Sequence, residues 1–511
     1  MSNYAVKNKR IAKNTVMLYF RMVFLMAINL YTSRVILKTL GVEDYGIYNV
    51  VGGFVSTFAI VCNALSGGCS RFFNFEMGKG VENKLHQVFS ASVTIHIGLS
   101  GIIILLAESF GMWFLNCKMT IPVERIVAAN VCFQLSLLAF CVNLLQVPYR
   151  AAIIAHEDMS TFAYVSIFDG LARLAVAFLI VLSPYDTLIV YAIMLCVLQI
   201  IVNTIYIVYC RKHYPESKFR FTYDSSLFRP IIGYSGWNFL GHASAVLRNQ
   251  GGNVLTNIFF GPVVNAARGI ANQVMSAVEG FVNNFTMAVN PQICQSYAEG
   301  DIHYMRNLVY MSARFSYYLV FILSFPIILS TDFILKVWLD SPPEHSALFI
   351  QLMLIFQLIN SINTPIQQAS SATGNIRDYQ LVVGISQLLI IPISYILLKN
   401  GGGPATVIYV SIIMCAISVY LRIYMLSRVI DWSILDYTKK VIIRVLLVTL
   451  VGTPIPLSIS FICNNTWNSL VINTFISIIC ILLAIWFIGL TSNERTFCIE
   501  KIKRLTHKTH N

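Results

Sequence analysis

Six polar residues stand in one helical register near the middle of the chain: Asn265, Arg268, Asn272, Ser276, Glu279 and Asn283. Spacings of three and four put all six side chains on one face of a helix. An arginine on such a face suits a phosphate, because its planar fork bonds two oxygens at once. Related groups recur elsewhere. Asn14, Arg21 and Asn29 share roughly one side of the stretch 12–37, and Ser235, Asn238, His242 and Asn249 line 231–256 with Arg248 beside them. Asp169 and Arg173 lie four apart, within pairing reach. Arg21, Arg248 and Arg268 have no acid three or four residues away, which leaves positive potential for an anionic ligand. The candidate binding set is Arg21, Arg248, Arg268, Asn272 and Ser276. A second set, Asp169, Arg173 and Glu279, reads either as coupling groups or as structural pairing. The stripe from Asn265 to Asn283 also admits a reading as polar glue between packed helices. Arg34 reads as a snorkelling residue, and His96 and His242 as hydrogen-bonded helix residues.

The elements that must position these groups follow from the composition. The chain has 511 residues, 57% hydrophobic and 12% charged, about half the charge of a soluble protein. Apolar runs of about 20 residues are long enough to span a bilayer as helices, and no alternating pattern of barrel strands is present. The expected fold class is therefore all-α and integral to the membrane, with about 14 transmembrane helices. They fall near 12–37, 45–67, 86–107, 124–147, 160–183, 187–210, 231–256, 263–288, 309–331, 347–366, 378–398, 405–427, 440–461 and 468–490. With the N-terminus cytoplasmic, 26 of the 36 lysines and arginines fall in inner segments, which predicts both termini on the cytoplasmic side. The formal net charge of +13 is thus explained by orientation and implies no nucleic acid.

A duplication sets the architecture. Leu40-Gly41-Val42-Glu43-Asp44-Tyr45-Gly46 reads as a short polar corner between two helices, the second beginning near Tyr45. About 220 residues later, Phe260-Gly261-Pro262-Val263 opens an equivalent helix that ends at Tyr297-Ala298-Glu299-Gly300, as the first ends at Phe75–Gly80. Pro148–Ala155 and Pro365–Ala372 repeat at an offset of 217, each expected to place proline in the last turn of a helix. The chain divides into an N-lobe of six spans at 1–212, a cytoplasmic linker at 213–230, a C-lobe of six spans at 231–430, and two further spans with a basic tail at 431–511. Equal span counts predict lobes related by a pseudo-two-fold along the membrane normal, with a positive cavity between them.

Enzyme chemistry is not indicated. The sequence holds no P-loop, no G-x-S-x-G and no H-E-x-x-H, and Gly401-Gly402-Gly403 reads as a turn. Its 12 cysteines form no metal-type pairs and read as free thiols; Cys117 and Cys463 lie near predicted outer loops, where a bridge between them is conceivable but has no further support. No metal and no cofactor are expected.

The run Thr32–Tyr48, with its leucine-glycine corner, acidic residue and tyrosine-glycine, resembles the polysaccharide flippase branch of the multidrug/oligosaccharidyl-lipid/polysaccharide (MOP) exporter superfamily. The two six-helix lobes, the two extra helices and the Pro148–Ala155 connection are similar to the same MATE-like branch. The resemblance implies a V-shaped alternating-access transporter in the bacterial inner membrane. It would flip an undecaprenyl-pyrophosphate-linked oligosaccharide for O-antigen, capsule or exopolysaccharide, keeping the lipid tail in the bilayer. Arg21, Arg248 and Arg268 would contact the pyrophosphate, and Asp169 and Glu279 leave Na+ or H+ coupling open. The expected partners are the lipid-linked oligosaccharide, membrane lipid, a polysaccharide polymerase and glycosyltransferases, with the chain itself a monomer. The alternative is a MATE-type, Na+- or H+-coupled multidrug exporter, whose cationic substrates favour an acidic cavity.

Overall fold

The computed structural model describes residues 3–56, 58–80, 82–117, 122–221, 225–339, 342–430, 432–462, 466–492, 494–496 and 499. Among them every regular element is helical. Eleven helices are long and apolar enough to cross a membrane. Three expected spans do not qualify, and two of these, 231–256 and 263–288, carry the polar stripes that lower their hydropathy. The third, 45–67, includes residue 57, which lies outside the described residues. Large apolar side chains stay exposed on the outer helices, among them Leu105, Leu450 and Phe487 at 71, 70 and 65%. Lipid is the solvent in which such a surface is stable.

Two compact units make up the chain. Unit 1 comprises Met1–Ala243, Met287–Ile302 and Ser371–Gln380; unit 2 comprises Ser244–Thr286, His303–Ser370 and Leu381–Asn511.

Unit 1 is built on α1 (Asn3–Ser56), α2 (Ala59–Lys79), α3 (Glu82–Leu106), α4 (Met112–Cys117), α5 (Ile126–Ala155), α6 (Met159–Leu179) and α7 (Thr187–His213). The first helix doubles back. Arg21 meets Phe162 near the start of α6 and Tyr31 meets Phe178 near its end. Arg125, just before α5, then reaches Asp44 at 2.6 Å, and Phe58 meets Phe140 halfway along α5. Since α5 and α6 are antiparallel, the chain reverses between Tyr31 and Phe58. The corner expected at Leu40–Gly46 is thus a reversal but not a loop: helical bonding runs through it to Ser56. Asp44 is 3% exposed, and a buried reversal must keep its backbone groups bonded, which continued helical bonding does. Arg125 also pairs with Asp186, tying the reversal to the start of α7.

At the opposite end, Leu18, Phe73, Phe89, Ile153 and Met159 form one core cluster; Val51, Ile103, Phe133, Leu144 and Ile180 form the other. Pro148 sits inside α5, not in its last turn, and Pro365 sits likewise inside α11 (Ser346–Thr373). Burial of Ala151, Ala152 and Ala155 holds the helix together past the proline. Each of these helices ends at a left-handed residue, Glu157 at φ 57° and Gly374 at φ 79°. The two ends are gripped alike within unit 1. Gln295 Nε2 donates to Ala155 O (3.0 Å) and Arg71 Nη2 to Ala372 O (3.2 Å), acceptors separated by the same 217 residues as the sequence repeat. Gln292 adds a hydrogen bond to the Glu157 carboxylate, and Asn14 donates to its carbonyl at 3.0 Å.

The helix α8 (Ser225–Ala298) contributes to both units. Its register breaks at Gly261 (φ 80°, ψ −175°), a conformation open in practice to glycine alone. This is where the sequence places the opening of the duplicated helix. Unit 2 also holds α9 (Ile302–Leu329), most of α11, and α14 (Thr406–Ser427). The C-terminal segments are tied to α9: Arg314 pairs with Glu494 at 2.5 Å and Tyr317 shares a hydrogen bond with Thr449. Cys117 is exposed and free; Cys463, its conceivable partner, lies outside the described residues.

Candidate functional site

A cavity of about 300 Å³ opens inside unit 1, walled by α1, α5, α6 and α7. Three arginines line it, Arg21, Arg150 and Arg173, against one acid, Asp169. Each is placed by a helix-period pattern. Arg21 lies over the Phe162 ring at 4.6 Å and donates through Nη1 to Ser166 Oγ at 3.3 Å. Ser166 in turn donates to Phe162 O, so its oxygen is aimed at the guanidinium. Arg173 Nε donates to both Asp169 oxygens at 3.1 Å, which consumes the one acid in the wall. Arg150 makes no hydrogen bond or ion pair among the described residues, and its charge repels that of Arg21. The wall is therefore net positive, three guanidinium groups against one carboxylate. Buried Gln146 and Gln199 are bonded to each other at 3.3 Å, and Asn143 and Tyr206 complete the polar lining.

The sequence-derived set thus divides. Arg21, Asp169 and Arg173 come together in unit 1. Arg150, assigned by sequence to the basic flank of a span, joins them, as do Asn143, Gln146, Gln199 and Tyr206, which sequence reading passed over. The signal was present: Asn143, Gln146 and Arg150 are spaced three and four apart, the rule that marks the stripe beginning at Asn265.

Arg248, Arg268 and Glu279 belong to unit 2. Arg268 is 6% exposed and donates through Nε to Asn253 Oδ1 at 2.9 Å. Gly252 makes room for it, since a Cβ there would stand 2.5 Å from the guanidinium. Arg248 lies over the Phe356 ring at 5.2 Å and is attracted by Glu279. Buried Arg422 adds a third positive charge and donates to Gln367 Oε1 at 3.2 Å. Asn272 is half-buried and Ser276 exposed, and neither makes a hydrogen bond among the described residues. Among those residues no group of three His, Cys, Asp or Glu side chains is placed to hold a metal.

Two carboxylates stand outside the spans, at the Glu157 end of unit 1. Burial by itself would push the Asp158 carboxyl up, but hydrogen bonds from Tyr209 (2.6 Å), from Thr161 and from Tyr214 together hold it below its ordinary value. Burial likewise opposes the charge of Glu216, and the His156 contact at 2.5 Å leads the groups that hold its carboxyl down.

A family model described as polysaccharide biosynthesis protein matches residues 11–297, more than half of the chain, and one described as MatE matches 247–396. Solved structures share the fold at low identity. A MATE in the bent conformation has a TM-score of 0.72 at 11% identity, covering 83% of this chain and 95% of that one. An outward-facing multidrug resistance MATE family transporter of the MOP superfamily has a TM-score of 0.69 at 12%, covering 82% and 95%. A MOP superfamily transporter from Pyrococcus furiosus, described as having reverse polarity of its binding pocket, has 0.67 at 12%, also covering 82% and 95%. No curated protein matches the chain.

Proposed function

We propose that this chain, which belongs to the polysaccharide biosynthesis protein family of the MOP superfamily of membrane transporters, flips a lipid-linked oligosaccharide across the bacterial inner membrane. The anionic group that links sugar to lipid, a pyrophosphate, sits in the unit 1 cavity. The observation that carries this reading is the convergence of Arg21 and Arg150 on one space whose lone acid is already taken by Arg173. A wall with that excess of guanidinium forks favours a di-anion over a drug cation. Asp169, locked to Arg173, positions that arginine. The lipid tail stays in the bilayer, so that the cavity receives only the head group. Both termini face the cytoplasm, where the basic flanks lie. Glu279, attracted to Arg248, is the acid left for ion coupling in unit 2.

The match of the MatE model to 247–396 favours a second reading, a cation-coupled drug exporter. The two readings part in one experiment. The chain is expressed in a strain lacking its own copy, and surface polysaccharide and drug sensitivity are both scored. Flipping requires that polysaccharide return, that Arg150→Ala abolish it, and that Arg150→Lys restore part of it. Drug resistance that survives Arg150→Ala and fails with Glu279→Gln would instead establish the exporter.

A further inference from the structure

A second cavity, of about 220 Å³, adjoins the first inside unit 1 and shares Asn143, Arg173 and Gln199 with it. Its character differs. Among the described residues no acid lines it, and Arg173, held by Asp169, is its one charge. Tyr48, Phe140 and Ser136 line it further, and the rest of the wall is small or apolar side chains such as Val55, Ala139 and Leu195. The two aromatic rings are fixed from behind: Tyr48 meets Tyr191 edge-on at 4.9 Å, and Phe140 is tilted against Phe58 at 6.2 Å. The amides are available. Asn143 makes no hydrogen bond among the described residues, and Gln199, whose Nε2 is spent on Gln146, makes none through its carbonyl oxygen.

A fixed aromatic face beside an amide that can both donate and accept is the lining a pyranose ring needs. Its C–H face packs on the ring, while its hydroxyls demand donor and acceptor together. The volume admits one such ring and little more. We infer that the cavity lined by Tyr48, Phe140, Asn143 and Gln199 is the seat of the sugar nearest the pyrophosphate. The shared wall of Asn143, Arg173 and Gln199 then marks the junction between anionic linker and first sugar. This inference rests on the function proposed above and adds to it: selectivity among glycans is read by neutral residues separate from the arginines that hold the phosphate.

Binding to the purified full chain in lipid nanodiscs tests it, with two probes: undecaprenyl pyrophosphate, and the same lipid carrying one N-acetylhexosamine. The glycosylated probe is expected to bind about tenfold more tightly, the margin of a well-placed hydrogen-bonded contact. Phe140→Ala and Tyr48→Ala, at residues that line only the second cavity, should each erase that margin while leaving the sugar-free lipid bound as before, which also shows that the variants fold. Phe140→Tyr should keep it. A margin that persists in both alanine variants, or equal binding of both probes by the parent chain, overturns the sugar seat and leaves the pyrophosphate reading standing. Binding of neither probe removes both.

Discussion

Three arginines in unit 1 and three in unit 2 make a natural comparison, because the residue type is the same and the surroundings are not. In unit 2, Arg268 bonds Asn253 beside Gly252, Arg422 bonds Gln367, and Arg248 lies over Phe356 within reach of Glu279. Each has found a partner in the protein. In unit 1 Arg173 takes the one acid of the cavity wall, Arg21 bonds Ser166 and lies over Phe162, and Arg150 faces the same cavity and repels Arg21. A guanidinium at membrane depth is costly wherever it sits. Where the protein supplies partners, as Ser166 and Phe162 for Arg21 and the groups of unit 2, the cost is met in the fold; at Arg150, which makes no hydrogen bond or ion pair among the described residues, the cavity leaves it to a ligand. On the proposed function we therefore expect phosphate binding in unit 1, although the longest polar stripe in the sequence belongs to unit 2.

The largest expected effects break or uphold that contrast directly. Arg21→Ala and Arg150→Ala should each weaken binding of undecaprenyl pyrophosphate by about 10- to 100-fold, the loss of a hydrogen bond to a charged group. Thermal unfolding in detergent should hardly change for Arg150→Ala, while Arg21→Ala also loses the Ser166 and Phe162 contacts and should unfold somewhat earlier. Arg268→Ala should do the reverse. It strands Asn253 and opens a void, at a cost of roughly 2–4 kcal/mol in stability, while the folded fraction binds as before. If instead Arg268→Ala unfolds nothing and abolishes binding, the assignment of roles to the two units is wrong.

Much of this arrangement is legible in the sequence, and what is not has a physical cause. The duplication is readable because equivalent turns need equivalent residues: Gly261 adopts a backbone that few others can, and the Ala155 and Ala372 carbonyls keep the 217-residue offset. Polar stripes are readable because helix geometry alone puts residues three and four apart on one face. Partners are not readable. Arg268 and Asn253 are 15 residues apart on either side of the Gly261 break, so no helical spacing links them. Arg21 and Arg150 meet only because α1 and α5 pack together, and Arg150 in sequence has the look of a basic flank. The corner at Leu40–Gly46 is visible as a change of direction. That its Asp44 pairs with Arg125, about 80 residues away, is not.

An arginine inside unit 1 that is packed among rings and a backbone carbonyl sharpens the same contrast. Arg71 lies against the Phe72, Phe75 and Tyr234 rings and donates to Ala372 O, close under Gly374. It should behave like those of unit 2. Gly374→Ala puts a Cβ into the guanidinium at φ 79° and should lower stability by about 1–3 kcal/mol. Binding of undecaprenyl pyrophosphate by the folded protein should be unaffected. Thermal unfolding of the variant checks the first expectation and titration with the lipid the second; a loss of affinity without a loss of stability would place Arg71 among the binding groups.

The smallest effect concerns a carboxylate in unit 1 that has its partners and lines neither of the two cavities described above. Asp158 is held below the ordinary carboxylate value once hydrogen bonds from Tyr209, Thr161 and Tyr214 outweigh its burial. A group whose pKa is lower folded than unfolded stabilises the fold above its unfolded value, and that contribution is lost as pH falls through the folded value. Stability should therefore be flat near neutrality and decline in the acid range below the usual carboxylate titration. Glu216 beside His156 contributes with the same sign. Asp158→Asn should lower stability at neutral pH and shallow the acid decline, because the amide retains part of the hydrogen bonding without the titration. Thermal unfolding measured from pH 7 down to the acid limit of the preparation reads both. An unchanged slope in Asp158→Asn would mean that the acid sensitivity belongs to Glu216 or to groups elsewhere, and that the Tyr209 and Tyr214 hydroxyls bond Asp158 with no net preference for its charge.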